Sequence, residues 1–230
     1  MNKSVTHTNS FNPISLSEMD GVKLMNRSDT KFTFRADKLP SLFENLIPFY
    51  NVLEIDGKRI HSYKSLYFDT NDRKFYKDHH NRRVNRHKIR FREYEDSGLV
   101  FLEVKCKNNK GKTIKKRLKV DQIPTKLSSE HQSYVQKVMG YSLSVFPKQW
   151  INFNRITLVH KILKERLTID VNLNYSENES SGDLSMIAIA EVKQERMSRK
   201  SDFIRIAKEM KIYPMRLSKY CFTTMQIDDS

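Results

Sequence analysis

Between Lys88 and Lys107 the chain reads Lys-Ile-Arg-Phe-Arg-Glu-Tyr-Glu, then Asp-Ser-Gly, then Leu-Val-Phe-Leu-Glu-Val-Lys-Cys-Lys. Two alternating segments joined by a short Gly-containing turn predict a β-hairpin. Successive side chains of a strand point to opposite faces. Lys88, Arg90 and Arg92 therefore share a face of the first arm, and Phe101, Glu103, Lys105 and Lys107 a face of the second. Ile89, Phe91 and Tyr94, with Leu102 and Val104, fill the apolar positions between them. The same one-sided pattern places Lys31, Lys115, Arg117, Arg155, Arg166 and Lys193 on other strands, and Glu103-Val104-Lys105 recurs as Glu191-Val192-Lys193. A single Glu-x-Lys reads most simply as a cross-strand ion pair on a solvated face. Two copies beside several cationic strand faces point instead to phosphate, which lysine and arginine bind directly. A carboxylate among them suits Mg²⁺ or Mn²⁺, since such a metal bridges carboxylate and phosphate oxygens in phosphoryl transfer.

These side chains need strands to aim them. Residues from Met1 to about Glu18 show no sustained periodicity and are expected to be a mobile lead-in, which sets the division at 1–20 for the lead-in and 21–230 for one domain. A strand is expected from Arg27 to Arg35. A helix follows from Ala36 through Leu39, Leu42, Phe43, Leu46 and Ile47, with Pro40 in its first turn and Pro48 at its end. Strands near Asn51–Ile55 and Ile60–Phe68 are joined by an Asp56-Gly57 turn, a hairpin signal. Asp69 to Asp72 offer caps for a short helix holding Phe75 and Tyr76. After the opening hairpin come a strand from Lys112 to Val120 and a helix from Ser128 to Met139, stopped by Gly140. Strands are expected at Gln149–Phe153, Arg155–Lys164 and Arg166–Leu173, then a polar loop from Ser176 to Asp183 and a strand from Leu184 to Gln194. Helices close the chain at Ser201–Met210 and again after Pro214. Eight to ten strands in mostly hairpin succession predict an α+β fold: an antiparallel closed barrel or strongly curved sheet with helices packed outside.

Among 230 residues, 42 Lys and Arg against 27 Asp and Glu give a net charge of +15, so a polyanionic partner is expected. If the apolar strand faces pack against helices, the cationic faces meet inside. Each unpaired buried ion would cost several kcal/mol, so the interior must be wet and hold that polyanion. The two cysteines, Cys106 and Cys221, exclude a disulfide scaffold, and no Cys/His spacing suits zinc. No run of about 18 apolar residues predicts a membrane span, and the N-terminus lacks the apolar core of a signal peptide, so a cytoplasmic location is expected. No Gly-rich phosphate loop is present, which leaves phosphate to side chains. Nucleic acid is a disfavoured partner, because the cations lie on strands among carboxylates rather than beside exposed stacking aromatics. His79, His80, Arg82, Arg83, Arg86 and His87 read as a solvated basic surface or as the rim of the interior, and Trp150 as core.

The ordered motifs resemble the VTC domain, the polyphosphate polymerase branch of the triphosphate tunnel metalloenzymes, which is related more distantly to the CYTH phosphatases. They are Asp29-Thr-Lys-Phe32, Ser65-Leu-Tyr-Phe-Asp-Thr70, Ile89-Arg-Phe-Arg-Glu-Tyr94, Phe101-Leu-Glu-Val-Lys105, Lys115-Lys-Arg117, Asn154-Arg-Ile-Thr157, Arg166-Leu-Thr-Ile-Asp-Val-Asn-Leu173, Ala190-Glu-Val-Lys193 and Arg216-Leu-Ser-Lys-Tyr220. The resemblance implies an eight-stranded antiparallel tunnel. Lys31, Arg90, Arg92, Lys105, Lys115, Arg155, Arg166 and Lys219 would contact phosphates, with Lys193 beside them and Arg117, Arg216 and Ser218 in support. Of these, Arg90, Arg92, Lys105, Arg155 and Arg166 would act with Glu191 in catalysis. Glu191 would hold a Mn²⁺ or Mg²⁺ ion, with a share left open for Glu103. The implied activity is transfer of the ATP γ-phosphoryl group to a growing polyphosphate chain. Hydrolysis of tripolyphosphate or another nucleoside triphosphate in the same tunnel, and non-catalytic polyanion binding, are the alternatives. Asp29-Thr30-Lys31 stands where CYTH relatives carry Glu-x-Glu-x-Lys, and one carboxylate fewer weakens water activation and favours a polymerase.

Overall fold

The structure, a computed structural model, describes residues 7–21, 28–110, 113–195 and 200–228. Eleven strands are present among them: β1 (Pro13–Ile14), β2 (Ser28–Arg35), β3 (Tyr50–Leu53), β4 (His61–Asp69), β5 (Arg86–Tyr94), β6 (Leu99–Lys107), β7 (Thr113–Val120), β8 (Phe146–His160), β9 (Glu165–Glu177), β10 (Ser180–Asp183) and β11 (Ile187–Gln194). The helices are α1 (Leu16–Gly21), α2 (Leu39–Leu46), α3 (Lys74–His80), α4 (Ser129–Met139), α5 (Asp202–Glu209) and α6 (Lys219–Asp228). Arg27 and Lys112, at the expected starts of two strands, lie outside the described residues.

The expected α+β class and antiparallel sheet are observed. The main path runs β2-β11-β9-β8-β4-β5-β6-β7, eight strands as anticipated, with β2 and β7 at its ends. A hydrogen-bonded closure of the path is not among the pairings of the described residues. The short β1 pairs in parallel with β3.

The chain divides into two compact units, one of residues 1–61, 153–173 and 183–217, the other of 62–152, 174–182 and 218–230. Each has its own core. In the first, Phe32 and Phe34 of β2, the stripe Leu39, Leu42, Phe43 and Leu46 of α2, and Phe203, Ile206 and Ala207 of α5 are all buried together. In the second, Leu66 and Phe68 of β4, Ile89 and Phe91 of β5, Leu102 and Val104 of β6, and Val135 and Met139 of α4 pack with one another. On β2, β5 and β6 these core residues have the parity opposite to Lys31, to Lys88, Arg90 and Arg92, and to Lys105 respectively.

Local chemistry accounts for the helix ends. Ser128 and His131 form a capping box at the start of α4, and Gly140 ends the helix in the left-handed region at φ 83°, where a side chain would be strained. Ser201 caps α5 by accepting from the Ile204 amide at 3.2 Å. At α3 the cap is the buried Asp69, whose carboxylate accepts from the amides of Thr70, Phe75 and Tyr76 at 2.8, 2.8 and 3.0 Å.

Four expectations are corrected. The Asp56-Gly57 turn closes only the Ile55–Lys58 bridge, and β3 does not pair with β4, because its two edges are taken by β1 and β8. The strands expected at 149–153 and 155–164 are one 15-residue strand, β8. Asparagines at and beside the expected break bond across the sheet: Asn152 Nδ2 donates to Asn174 Oδ1 at 3.1 Å, and Asn172 Nδ2 to Asn154 Oδ1 at 3.0 Å. The polar stretch after Ser176 is a hairpin, since β9 continues to Glu177 and pairs with β10. Its Gly182 is required by contact, as a Cβ there would stand 2.3 Å from the Tyr175 hydroxyl oxygen. Finally, residues of the expected lead-in carry structure: Phe11 is buried edge-on to Phe43, with ring centroids 5.8 Å apart, and β1 extends β3.

Candidate functional site

The cationic faces resolve into two carboxylate-centred clusters, one in each unit. In the second unit the strand register lays the side chains out in rows. Tyr67, Arg90, Glu103 and Arg117 stand opposite one another on β4, β5, β6 and β7, and Lys88, Lys105 and Lys115 form the adjacent row. Glu103, 1% exposed, is the hub. Arg90 donates from Nε and Nη2 to its Oε2 at 2.8 and 2.6 Å, and the Lys115 ammonium pairs with Oε1. Burial opposes ionisation of Glu103, but Arg90, Arg92 and Lys115 outweigh it and hold the carboxyl well below the usual carboxylate range. Arg92 is buried, donates to Ser65 Oγ at 3.2 Å and lies over the Tyr63 ring. Arg117 is exposed and lies over the Phe101 ring at 4.7 Å.

The row Lys88, Lys105 and Lys115 places like charges directly opposite each other, an arrangement that destabilises a sheet. The consequence appears at Lys105, whose ammonium is pushed well below the ordinary lysine value by burial and by Arg90, Lys115 and Arg92, against the pull of Glu103. Lys88 Nζ donates to Ser218 Oγ at 2.7 Å, so Ser218, expected as a supporting residue, anchors a cation of this row. Lys219, next along, opens α6 half-buried.

In the first unit Glu191 is the hub. It stands opposite Lys31 on β2 and Thr168 on β9, with Lys193 opposite Asp29 and Arg166 in the next row. Lys193 Nζ lies 2.9 Å from Glu191 Oε1 and Lys31 Nζ 3.8 Å from Oε2. Burial again opposes ionisation, yet Lys193, Lys31 and Arg155 hold Glu191 well below the usual range. Lys31 also donates to the Leu217 carbonyl at 2.8 Å. Arg155 forms a fork with the buried Asp170, Nε to Oδ1 at 2.6 Å and Nη2 to Oδ2 at 2.8 Å. Arg216 is exposed, in the segment before α6.

Two partners escaped the sequence reading though their spacing carried the signal. Asp170 shares the parity of Arg166 and Thr168, and Tyr67 shares that of Tyr63 and Ser65. Tyr94 was assigned to the apolar side but has the parity of Arg90 and Arg92, and its ring lies edge-on to Phe101 on the cationic face, centroids 5.9 Å apart. His87, expected on a solvated basic surface, is buried with its ring 5.6 Å from that of Tyr141. Trp150 packs against the second core, as anticipated.

No group of three or more metal-ligating side chains occurs among the described residues. The two carboxylates differ as donors. Arg90 holds Oε2 of Glu103 and the Lys115 ammonium stands against Oε1, so a metal at Glu103 would compete with two cations. Glu191 has one oxygen with only a long contact to Lys31, which fits a single carboxylate meeting a metal that arrives with phosphate oxygens, the way Mg²⁺ is usually held.

Two solved structures share the fold. A candidate adenylate cyclase from Bacillus halodurans superposes with a TM-score of 0.52 at 14% identity, over 84% of this chain and 96% of its own. A candidate adenylyl cyclase from Hippeastrum, described as revealing a dominant triphosphatase activity, superposes with a TM-score of 0.53 at 16% identity, over 85% and 93%. No curated protein sequence matches the chain. A family model for the VTC domain matches residues 26–227, so this chain belongs to the VTC domain family.

Proposed function

We propose that this chain is a polyphosphate polymerase that passes the γ-phosphoryl group of ATP, or of another nucleoside triphosphate, to a growing polyphosphate chain. The observation that carries the reading is the Lys88, Lys105 and Lys115 row beside Arg90 and Arg92, a set of like charges that a multivalent anion would relieve. Lys31, Arg155, Arg166, Lys193 and Lys219 serve phosphate by family resemblance, with Arg117, Arg216 and Ser218 in support.

In this reaction a bond forms between an acceptor phosphate oxygen and the γ-phosphorus, the bond to the β–γ bridging oxygen breaks, and the nucleoside diphosphate leaves with that oxygen. No protein nucleophile is needed. The chain supplies fixed cations that orient the phosphates and stabilise the charge on the transferring group. Glu103 keeps Arg90 and Lys115 in place, and Asp170 does so for Arg155. A Mn²⁺ or Mg²⁺ ion entering with the triphosphate and held by Glu191 would neutralise phosphate charge.

The test is incubation of purified protein with ATP and either metal, with long-chain polyphosphate read on a gel. Product that disappears in Glu191→Ala supports the proposal, and absence of product with every metal refutes it. The fold shared with the Hippeastrum protein motivates a second reading, hydrolysis of the triphosphate, marked by orthophosphate release without chain growth. Metal-independent retention of polyanions with no turnover would make the domain a binder. No helix among the described residues is long and apolar enough to cross a membrane. We place the reaction in the cytoplasm, where ATP is at hand.

A further inference from the structure

We infer that Tyr67 is a positioning residue for Arg90, an inference that rests on the reading of Arg90 as a phosphate contact. A guanidinium offers five N–H donors in one plane. Glu103 takes two of them from the β6 side, and on the β4 side the Tyr67 hydroxyl accepts from Nη1 at 2.9 Å. Register puts the three residues in one row, so the plane of Arg90 is gripped at both of its strand neighbours. A carboxylate alone would leave the guanidinium free to rock about that contact. The second grip fixes where its remaining donors point.

Tyr67 is itself held. Its ring stacks on that of Tyr220 in α6, with centroids 5.1 Å apart and planes 5° from parallel, and both residues are buried. The Tyr220 hydroxyl donates to Asp69 Oδ2 at 2.9 Å, the same carboxylate that caps α3. A run of contacts from a helix start through Asp69, Tyr220 and Tyr67 thus ends on the guanidinium. The surroundings favour the hydroxyl as an acceptor: burial opposes ionisation, but Arg90, Arg92 and Lys88 draw the phenol below its ordinary value.

The experiment is calorimetric titration of sodium tripolyphosphate into wild type, Tyr67→Phe, Arg90→Lys and the double variant. Phenylalanine keeps the stacked ring and removes only the hydroxyl. Tyr67→Phe should weaken binding about tenfold, the size expected for losing a hydrogen bond to a charged group, while adding it to Arg90→Lys should change affinity less than about twofold. Equal losses in both backgrounds, or none in either, overturn the inference. A wild type that does not bind tripolyphosphate refutes the phosphate reading, and Tyr67 is then judged without ligand. Broadening of the Arg90 Nε–Hε signal by NMR in Tyr67→Phe supports the role, and an unchanged signal overturns it.

Discussion

Replacing Glu103 with glutamine tests the hub of the second cluster directly. The side chain is 1% exposed and faces Arg90, itself 13% exposed, and Lys115, 33% exposed. Glutamine preserves the shape and one acceptor oxygen but leaves two cations without their counter-charge. Removing one partner of a buried ion pair costs about 3–5 kcal/mol. Water reaching Lys115 lowers this to the bottom of the range, about 3 kcal/mol. In a domain of this size each kcal/mol moves the melting temperature by about 2–4 °C, so a fall of about 6–12 °C is expected. The assay is thermal and urea unfolding of both proteins in dilute, phosphate-free buffer. Acid gives a second readout with a definite sign. The folded carboxyl is held well below its unfolded value, so its stabilisation is complete above about pH 4.3 and is lost as pH falls further toward the folded value. The gap between wild type and Glu103→Gln should therefore narrow from pH 5 to pH 3. A difference under about 0.5 kcal/mol at neutral pH, the size of an ordinary surface substitution, would refute the reasoning.

Other outcomes follow from the same geometry. Lys105→Met removes a charge that its neighbours already disfavour, so it should raise the melting temperature in phosphate-free buffer while abolishing tripolyphosphate binding by calorimetry. Asp170→Asn breaks the fork that holds Arg155 and should cost about 3 kcal/mol in urea unfolding, with Arg155→Met in the same background recovering part of it. Ser128→Ala removes the α4 cap and should cost about 1 kcal/mol by the same measurement, without altering anion binding.

The legible features were those written locally. The hairpin of β5 and β6 pairs Arg90 with Glu103 and Lys88 with Lys105 as the alternation required, because parity is a property of consecutive residues. The span of α4 was legible from its end chemistry, Ser128 and Gly140, and the amphipathic stripe of α2 from its spacing. What stayed hidden depends on partners distant in the chain. Nothing near Tyr50 tells that β3 will spend its edges on β1 and β8, and nothing near Asn154 tells that its amide will meet Asn172. The burial of Phe11 is decided by Phe43. At the site the carboxylates were found by recurrence of Glu-Val-Lys, and the family resemblance gave the metal to Glu191 with a share open for Glu103. The structure adds the distant partners: Arg90 and Lys115 stand at the two oxygens of Glu103, while Lys31 stands 3.8 Å from Oε2 of Glu191.

Core and site are written in the same strands, on alternate letters. Along β6, Leu102 and Val104 belong to the hydrophobic interior while Glu103 and Lys105 carry the charge. A one-residue insertion before Leu102 that shifts β6 against its neighbours would exchange the two sets, turning Glu103 and Lys105 into the core and Leu102 and Val104 onto the charged face. Such an insertion is therefore barred by folding alone, whereas the turn at Asp96, Ser97 and Gly98 is exposed and can change length. A substitution leaves the phase of this sheet intact and an insertion within a strand does not: the place of a cation in the alternation is set by register, whichever residue stands there.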